Sequence, residues 1–514
     1  MLDVEHGRMA MAAMLSLVLA AALAAPVAET ASGLVEGEAA TGITVYRGVP
    51  YAAPPVGDLR WRAPQPAAHW GGVREAKTVG PACMQSGDPW PPWSPVTATS
   101  EDCLTLNVWV PEGTKGLPVM VWIHGGGWSA GSGSAAAYDG VALARHGVVV
   151  VTFNYRVGPF GFLAHPGLSA EAGGVSGNYG LLDQIAALEW VQANIAAFGG
   201  DPKRVTAFGQ SAGSMSIVLL TVMPRAKGLF AQAIGESGGV FIPPAISPSA
   251  AGFVLKGAES EGEAFASAMN ARTVEEMRAL PAEALAVAKG AGGFHFILDA
   301  NLVPEEPYVA YVAGRQALVP LLLGTNADEG LSFFDVKSVT AANFSEGLRG
   351  SLGVLPPPLL AAYPAATDEQ AKASRGALER DLRFGYDMWA WTRLAAKSAA
   401  PVFAYRFEQR PPWPKGSAWA EWGAGHGAEL PYVFGTLDAG WAWSDDDRRA
   451  AEMMAAYWTN FAKTGNPNGE GLPAWPAYAS DTRQVMRLSA EAKPGDEPGV
   501  AALEVLDALF ESVR

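Results

Sequence analysis

Cysteine is scarce in this chain, with two residues among 514. Histidine is nearly as scarce, and its seven residues are too scattered to form with cysteine the spacing of a zinc site. Positive charge is also in deficit, since 36 lysine and arginine residues face 51 aspartate and glutamate residues, for a net charge of −15. This deficit argues against partners with dense negative charge, such as nucleic acids and anionic membrane surfaces.

After the amino-terminal region, the chain has no uninterrupted apolar run as long as a transmembrane helix. The one apolar run, Met9–Ala25, is short for a membrane span, and Arg8 precedes it. The tripeptides at 22–24 (Ala-Leu-Ala) and 26–28 (Pro-Val-Ala) both fit a signal-peptide cleavage site. The sequence therefore predicts a signal peptide over residues 1–28 and export to the periplasm or the medium. An apolar N-terminal helix that packs on the domain is the alternative.

The mature chain, residues 29–514, is expected to form a single domain with no stable insertion into a membrane. Its two cysteines, Cys83 and Cys103, follow an export signal, and we therefore expect them to form a disulfide. Two buried free thiols are the alternative. The sequence holds no signal of the oligomeric state.

Apolar residues, in contrast, are abundant: they make up 49% of the chain, against 17% charged residues, as in a protein with a large globular core. Solidly apolar runs such as Val119–Ile123, Val148–Phe153 and Leu318–Gly324 predict buried strands. Helical spacing of apolar residues, as in Leu181–Phe198, separates such runs. This alternation predicts an α/β fold with a large, mostly parallel central sheet covered by helices on both faces.

Two longer segments of helical composition, Ala250–Lys289 and Pro356–Lys397, lie between predicted strands. We expect them to form helical insertions that cap the site. The segments Pro50–Pro66 and Trp90–Trp93 are rich in proline, which cannot occupy a helix interior, and both are predicted to be irregular.

The most informative stretch is Arg204–Ser214, in which a β-branched and aromatic run ends in Gly-Gln-Ser-Ala-Gly. A strand, a tight turn and a helix, with serine at the apex of G-x-S-x-G, form the nucleophile elbow of α/β-hydrolases. Glycines two residues to either side of Ser211 let the strand and the helix pass closely. We therefore predict that Ser211 is a nucleophile. A glycine-rich turn with a chance serine is the alternative.

A second glycine-rich stretch, His124 to Gly127, follows the predicted strand that ends at Ile123. Its H-G-G-G sequence is the pattern of an esterase oxyanion loop. Successive glycines leave backbone N–H groups free to point at a substrate oxygen. We predict Gly126, Gly127 and Ala212 as the oxyanion donors, with a flexible turn as the alternative for the loop.

A serine nucleophile of this kind needs a base and an acid, and in α/β-hydrolases the acid and then the histidine follow the serine along the chain. His426 is the only histidine after the acid candidates, so we predict that it is the base. Asp328 and Glu329 both follow the predicted strand that ends at Gly324. Spacing alone does not choose between these two carboxylates.

Taken together, these motifs resemble the type-B carboxylesterase family, which includes cholinesterases, para-nitrobenzyl esterases and the non-catalytic neuroligins. The segments that match run in family order through nearly the whole mature chain: 46–52, 54–57, 101–108, 124–127, 154–158, 161–163, 177–184, 209–213, 326–330, His426 and 461–468. The resemblance implies the α/β-hydrolase fold. It implies Glu329, in Asp-Glu-Gly, as the triad acid, and Ser237 as a serine that supports the triad.

The resemblance also makes Cys83–Cys103 the first disulfide of the family, closing a loop near the mouth of the gorge. It suggests a structural pair between Arg60 and Glu101, although exposed ion pairs contribute little and a surface role is the alternative. Animal members often carry more disulfides. With only two cysteines, this chain looks like a bacterial member.

The sequence thus predicts a serine hydrolase that cleaves small to medium carboxylic esters through a Ser-His-Glu triad and an acyl-enzyme intermediate. The expected partner is a small-molecule ester, and the chemistry needs no metal or organic cofactor. The alternatives among enzymes are a lipase for long acyl chains, an amidase, and a hydrolase specialised for a polyester or a toxin ester. A neuroligin-like adhesion module is disfavoured because serine, glutamate and histidine are all present in order.

Overall fold

The computed structural model describes residues 25–86, 90–95, 98–244, 250–288, 293–347, 357–437 and 440–514. The strands in chain order are β1 (Val27–Thr30), β2 (Gly33–Glu36), β3 (Glu38–Ala40), β4 (Ile43–Pro50), β5 (Val73–Glu75), β6 (Ala82–Cys83), β7 (Thr99–Ser100), β8 (Thr105–Pro111), β9 (Leu117–Ile123), β10 (Val149–Phe153), β11 (Gly200–Gln210), β12 (Gln232–Glu236), β13 (Leu321–Asn326), β14 (Val402–Phe407), β15 (Gln484–Leu488) and β16 (Ala492–Asp496). The helices are α1 (Val141–Arg145), α2 (Gly158–Phe162), α3 (Pro166–Glu171), α4 (Tyr179–Asn194), α5 (Ala212–Val222), α6 (Leu255–Ala268), α7 (Val274–Arg278), α8 (Ala282–Val287), α9 (Pro307–Val312), α10 (Pro357–Ala362), α11 (Asp368–Arg380), α12 (Tyr386–Ala395), α13 (Leu430–Phe434), α14 (Asp445–Thr464) and α15 (Val500–Glu511).

An 11-stranded sheet forms the centre of the fold, in the order β16-β15-β14-β13-β12-β11-β9-β10-β8-β4-β3. From β10 across to β15 neighbouring strands are parallel. The outer strands β8, β4, β3 and β16 join antiparallel. Strands β1, β2 and β5 form one small sheet, and β6 and β7 form another. The predicted α/β fold with a large, mostly parallel sheet is confirmed.

Strand β9 shows why the central strands are apolar without interruption. Successive side chains of a strand point to opposite faces of the sheet. Val119, Val121 and Ile123 pack into the core on one face, whereas Met120 and Trp122 pack into the core on the other. Helices cover both faces, so neither set of side chains can be polar.

Parallel pairing brings the carboxyl ends of β9, β11, β12 and β13 to one edge of the sheet. These strands end at Ile123, Gln210, Glu236 and Asn326. The glycine loop, the predicted nucleophile, Ser237 and the two acid candidates therefore start from neighbouring positions. In open α/β sheets, ligands bind beyond this edge.

Helices form where the sequence patterns predict them, although some begin or end at different residues from those predicted. Helix α5 begins at Ala212, directly after the elbow serine and earlier than the apolar run of residues 215–223. The first helical insertion contains α6, α7 and α8, and the second contains α10, α11 and α12. Lys289 and Pro356, at the ends predicted for these insertions, lie outside the described residues. Within the described parts of the chain, no helix combines the length and apolarity that a membrane span requires.

The structure contains both the disulfide and the ion pair that were expected in the first part of the chain. Cys83 and Cys103 are joined, and they close the loop that contains the irregular Trp90–Trp93 segment. Nε of Arg60 donates to Oε1 of Glu101 at 2.6 Å. Both side chains of this ion pair are mostly buried, which makes it a structural contact rather than a surface one.

Candidate active site

Ser211 occupies the tight turn between β11 and α5, with backbone angles of φ 57° and ψ −125°. A positive φ is costly for a residue with a side chain and persists only where its surroundings enforce it. The Ser211 N–H donates to the Glu236 carbonyl of β12 at 2.8 Å, which fixes the turn. A Cβ on Gly213 would collide with the carbonyl oxygen of Ile123, and one on Gly209 would lie 2.7 Å from the same oxygen. The two glycines of the motif are therefore required by close backbone approach.

His426 and Glu329 meet beside this turn. Nδ1 of His426 lies 2.6 Å from Oε2 of Glu329, while Oε1 of Glu329 accepts from the Asn326 N–H at 2.8 Å. His426 is 2% exposed and Glu329 is fully buried, so water does not compete for the contact. Asp328 instead accepts from the Ala424 N–H at 3.0 Å. The geometry thus brings Glu329, rather than its neighbour, to the imidazole.

Aromatic rings hold the imidazole of His426 in place. Phe384 stacks on it with ring centroids 4.0 Å apart, and Trp90 and Phe333 lie at 5.1 and 5.4 Å. The backbone N–H of His426 donates to the hydroxyl of Ser332 at 3.0 Å. The ring therefore has little freedom to rotate away from Glu329.

Gln210 is a site residue that the motif analysis did not single out. Its Nε2 lies 3.3 Å from Nε2 and 3.5 Å from Nδ1 of His426, so the amide rests against the imidazole. Its Oε1 accepts from Nε1 of Trp90 at 3.1 Å. Trp90, in the disulfide loop, is thereby connected to the site. The only sequence signal was position, since Gln210 directly precedes the elbow serine.

The glycine loop offers backbone donors near the elbow. Gly126 and Gly127 have φ of 106° and 60°, and a Cβ on Gly126 would collide with the carbonyl of Ala130. Among the described residues, none accepts a hydrogen bond from the N–H of Gly126, Gly127 or Ala212. These three N–H groups are therefore free to bind a ligand oxygen.

His124, at the start of this loop, has a structural role. Its ring stacks on Tyr155 with centroids 4.2 Å apart, and the Tyr155 hydroxyl donates to the His124 carbonyl at 2.8 Å. Burial lowers the pKa of His124 to about 4, so the imidazole is uncharged near neutral pH. It anchors the glycine loop to the sheet.

Ser237 lies directly after β12 with φ 52°, and its N–H donates to the Gly324 carbonyl at 2.8 Å. Its hydroxyl oxygen is buried and has no hydrogen-bond partner among the residues that the structure describes. No hydrogen bond therefore links Ser237 to His426 or Glu329 here. Its support of the triad stays a prediction.

A cavity of about 300 Å³ borders the first turn of α5, which begins directly after Ser211. Its walls are formed by Trp128, which directly follows the glycine loop, by Met215 in the first turn of α5, and by the segment 239–244 after β12. Phe253 and Phe296 line it as well. Its lining is mostly apolar, and the rings packed around His426 do not contribute to it.

Comparison with known proteins decides the family. A family model described as the carboxylesterase family matches residues 24–352 and 355–503. The chain belongs to the carboxylesterase family. It is 39% identical over 496 residues to the fumonisin B1 esterase of Sphingopyxis macrogoltabida, a match that covers 92% of this chain and 88% of that protein. It is 40% identical over 487 residues to the para-nitrobenzyl esterase of Bacillus subtilis (strain 168), and this match covers 91% of this chain and 96% of that protein.

Solved structures agree with this assignment. A PNB esterase matches with a TM-score of 0.80 and 36% identity over 94% of this chain and 99% of that chain. A thermophilic PNB esterase matches with a TM-score of 0.81 and 36% identity, over 94% of this chain and 100% of that chain. The family and these relatives show that the chain is a carboxylesterase, an enzyme that hydrolyses carboxylic ester bonds. The predicted enzyme class is confirmed.

This carboxylesterase buries two further carboxyl groups, Glu236 and Glu429, behind the candidate triad. Oε1 of Glu236 accepts from Nε1 of Trp458 at 2.7 Å, and Oε2 of Glu429 accepts from Nδ2 of Asn326. The second oxygen of each carboxyl has no partner among the described residues. Burial raises the pKa of Glu236 to about 8, and burial together with the charge of Glu236 raises the pKa of Glu429 well above its usual range.

The raised pKa of Glu236 gives a testable pH dependence of stability. In the unfolded chain Glu236 ionises above about pH 4.5, whereas in the folded enzyme it keeps its proton until about pH 8. The folded state therefore binds more protons in this window, and the unfolding free energy falls as the pH rises through it. We expect Glu236→Gln to remove the share of this fall that Glu236 contributes, while Glu429 and Asp387, whose pKa values are also raised, keep theirs, so that the variant gains stability relative to wild type between about pH 5 and about pH 8.

The measurement is the urea midpoint of both proteins across this pH range. Glu491→Gln, a change at an exposed carboxylate, serves as the control and should follow the wild-type curve. Parallel curves for wild type and Glu236→Gln would show that Glu236 ionises alike in the folded and unfolded states, contrary to this account.

Proposed function

We propose that the enzyme cleaves esters by acyl transfer through Ser211, His426 and Glu329. The observation that supports this most strongly is the buried 2.6 Å contact between Nδ1 of His426 and Oε2 of Glu329, beside the elbow. A carboxylate in this position holds the proton on Nδ1 and leaves Nε2 as the base.

In the first half-reaction, Oγ of Ser211 attacks the ester carbonyl carbon and its proton passes to Nε2 of His426. The carbonyl oxygen becomes an oxyanion, for which the N–H groups of Gly126, Gly127 and Ala212 are free. The ester C–O bond then breaks. The leaving oxygen takes the proton from His426 and departs as the alcohol, so that Ser211 carries the acyl group.

In the second half-reaction, Nε2 of His426 takes a proton from water as the water oxygen attacks the acyl carbonyl. The bond between the acyl carbon and Oγ of Ser211 breaks, the proton returns to the serine, and the carboxylic acid leaves. Glu329 balances the charge of the imidazolium in both steps. Every proton moves among serine, imidazole, alcohol and water, so the cycle needs no cofactor.

The cavity beside the elbow supports small to medium acyl groups. Its volume of about 300 Å³ is at the lower end for ligand pockets. The leaving alcohol must lie near His426, which protonates it, whereas the cavity lies beside Trp128 and Met215. It is therefore suited to the acyl side of the ester. A long acyl chain of the kind that a lipase accepts would exceed it.

Replacement of the nucleophile tests this mechanism. We expect Ser211→Ala to lower kcat by about 10⁴-fold or more, because covalent catalysis is lost while the oxyanion donors remain. The measurement is hydrolysis of para-nitrophenyl esters from acetate to palmitate. Wild type should prefer short and medium chains over palmitate.

Ser480→Ala is the matched control, since it makes the same change at an exposed serine outside the glycine loop and the triad. It should retain activity within about threefold, in line with the small effects of most surface changes. Esterase activity in Ser211→Ala at the level of Ser480→Ala would refute the assignment. A palmitate optimum would refute the proposed size of the acyl pocket.

We also propose that the enzyme is exported with its leader removed. The apolar run Met9–Ala25 and the disulfide support export. Strand β1 begins at Val27 and pairs with β2, so cleavage after Ala28 would remove half of β1, whereas cleavage after Ala24 leaves it intact. We therefore shorten the predicted leader from residues 1–28 to residues 1–24 and expect a mature amino terminus at Ala25, which the intact mass of the protein from the periplasm or medium measures. An uncleaved chain, or one that begins at Glu29, would contradict this proposal.

A further inference from the structure

The acyl-side cavity contains an unexpected pair of charges. Most of its lining is apolar, from residues such as Phe241, Phe253 and Phe296. Two carboxylates, Asp387 and Glu306, also line it, and the described residues of the lining include no lysine, arginine or histidine. A cavity built only for an alkyl chain has no use for carboxylates, because burying a charge without a partner costs free energy.

Asp387 is the more deeply placed of the two carboxylates. It lies in the first turn of α12, and only 4% of its surface is exposed. Its Oδ1 accepts from the N–H groups of Phe241 and Ile242 at 2.6 and 2.8 Å. Its Oδ2 accepts from no donor among the residues that the structure describes. Oδ1 thus fixes the backbone of the cavity wall, whereas Oδ2 can accept a hydrogen bond from a ligand.

No cation within the described parts of the chain forms an ion pair with Asp387. Arg514 is near, but its guanidinium donates to the carbonyl of Phe241, pairs with Glu511 at 3.3 Å and lies over the ring of Tyr308. Burial raises the pKa of Asp387 to about 7, although two backbone donors and Arg514 oppose the rise. A ligand cation would offset the cost of this buried charge.

Backbone contacts connect Asp387 to the elbow. A Cβ on Gly239 would lie 2.8 Å from Cβ of Asp387, and the Gly238 N–H donates to Sδ of Met388 at 3.3 Å. A Cβ on Gly238 would in turn collide with the carbonyl oxygen of Ser211. Asp387 therefore lies close to the elbow.

We propose that Asp387 makes the acyl cavity selective for acyl groups that carry a protonated amine. The inference rests on the proposed function, because it places the acyl group in this cavity. The ammonium donates to Oδ2 of Asp387, the alkyl chain packs against the aromatic walls, and Glu306 adds negative potential. The substrate class is an ester of an ω-amino acid.

A purely structural role for Asp387 makes a different prediction. If Oδ1 only fixes the segment after β12, an amide oxygen can replace it, and Asp387→Asn should treat charged and uncharged acyl chains as wild type does. Selectivity for a cation requires the negative charge itself. The ratio of kcat/KM for two esters that differ only in the amine separates these roles.

The experiment compares para-nitrophenyl ω-aminoalkanoates with alkanoates of equal chain length. Wild type should favour the amino ester by about tenfold at its best length, in keeping with a desolvated, hydrogen-bonded charge pair. In Asp387→Asn the ratio should fall to about one. Asp481→Asn, the same change at an exposed carboxylate outside the cavity, is the matched control and should keep the wild-type ratio because Asp387 is unchanged.

A wild-type ratio near or below one would overturn the inference, and this measurement needs no variant to fold. A ratio that persists in Asp387→Asn, or that falls equally in Asp481→Asn, would also overturn it. These outcomes differ from a failure of the proposed mechanism, which would appear as hydrolysis of both esters surviving Ser211→Ala.

Discussion

The parallel pairing of β9, β11, β12 and β13 is the constraint on which the rest of the site depends. Adjacent strands lie within about 5 Å of each other, and their carboxyl ends emerge side by side. The glycine loop, the serine turn and the carboxylate of Glu329 follow three of these strands directly. At that spacing the carbonyl of Ile123 leaves no room for a Cβ at Gly213. The elbow sequence is thus a consequence of the sheet.

Two patterns recur among the buried ionic groups of the described residues. Buried ionic groups are paired, as in the 2.8 Å contact between Arg156 and Asp183, or burial favours their neutral form, as for Glu236 and Glu429. Glu329 has its partner in His426. Asp387 follows the second pattern, since burial raises its pKa to about 7; it has backbone donors but no ion pair among the described residues, and it borders the cavity where an acyl group would lie.

The sequence alone was sufficient for the parts of the site that depend on local backbone chemistry. Ser211 and the glycine loop are contiguous motifs, and the α/β fold follows from the alternation of apolar strands with helices. The choice between Asp328 and Glu329 required the family resemblance, because the sequence does not show which of two adjacent side chains points towards the histidine. The contacts of Gln210 with Trp90 and His426 join segments that are distant in sequence. No local pattern could predict them, and the same holds for Asp387 at the cavity wall.

The central claim is that Ser211 carries the acyl group between the two half-reactions. The most direct test is to mix the enzyme with a para-nitrophenyl ester of a bulky acid that deacylates slowly, quench with acid, and locate the adduct by peptide mass spectrometry. We expect one acyl group per chain, on the peptide that contains Ser211, formed together with a burst of para-nitrophenol. Steady turnover without an adduct, or an adduct on another residue, would contradict it.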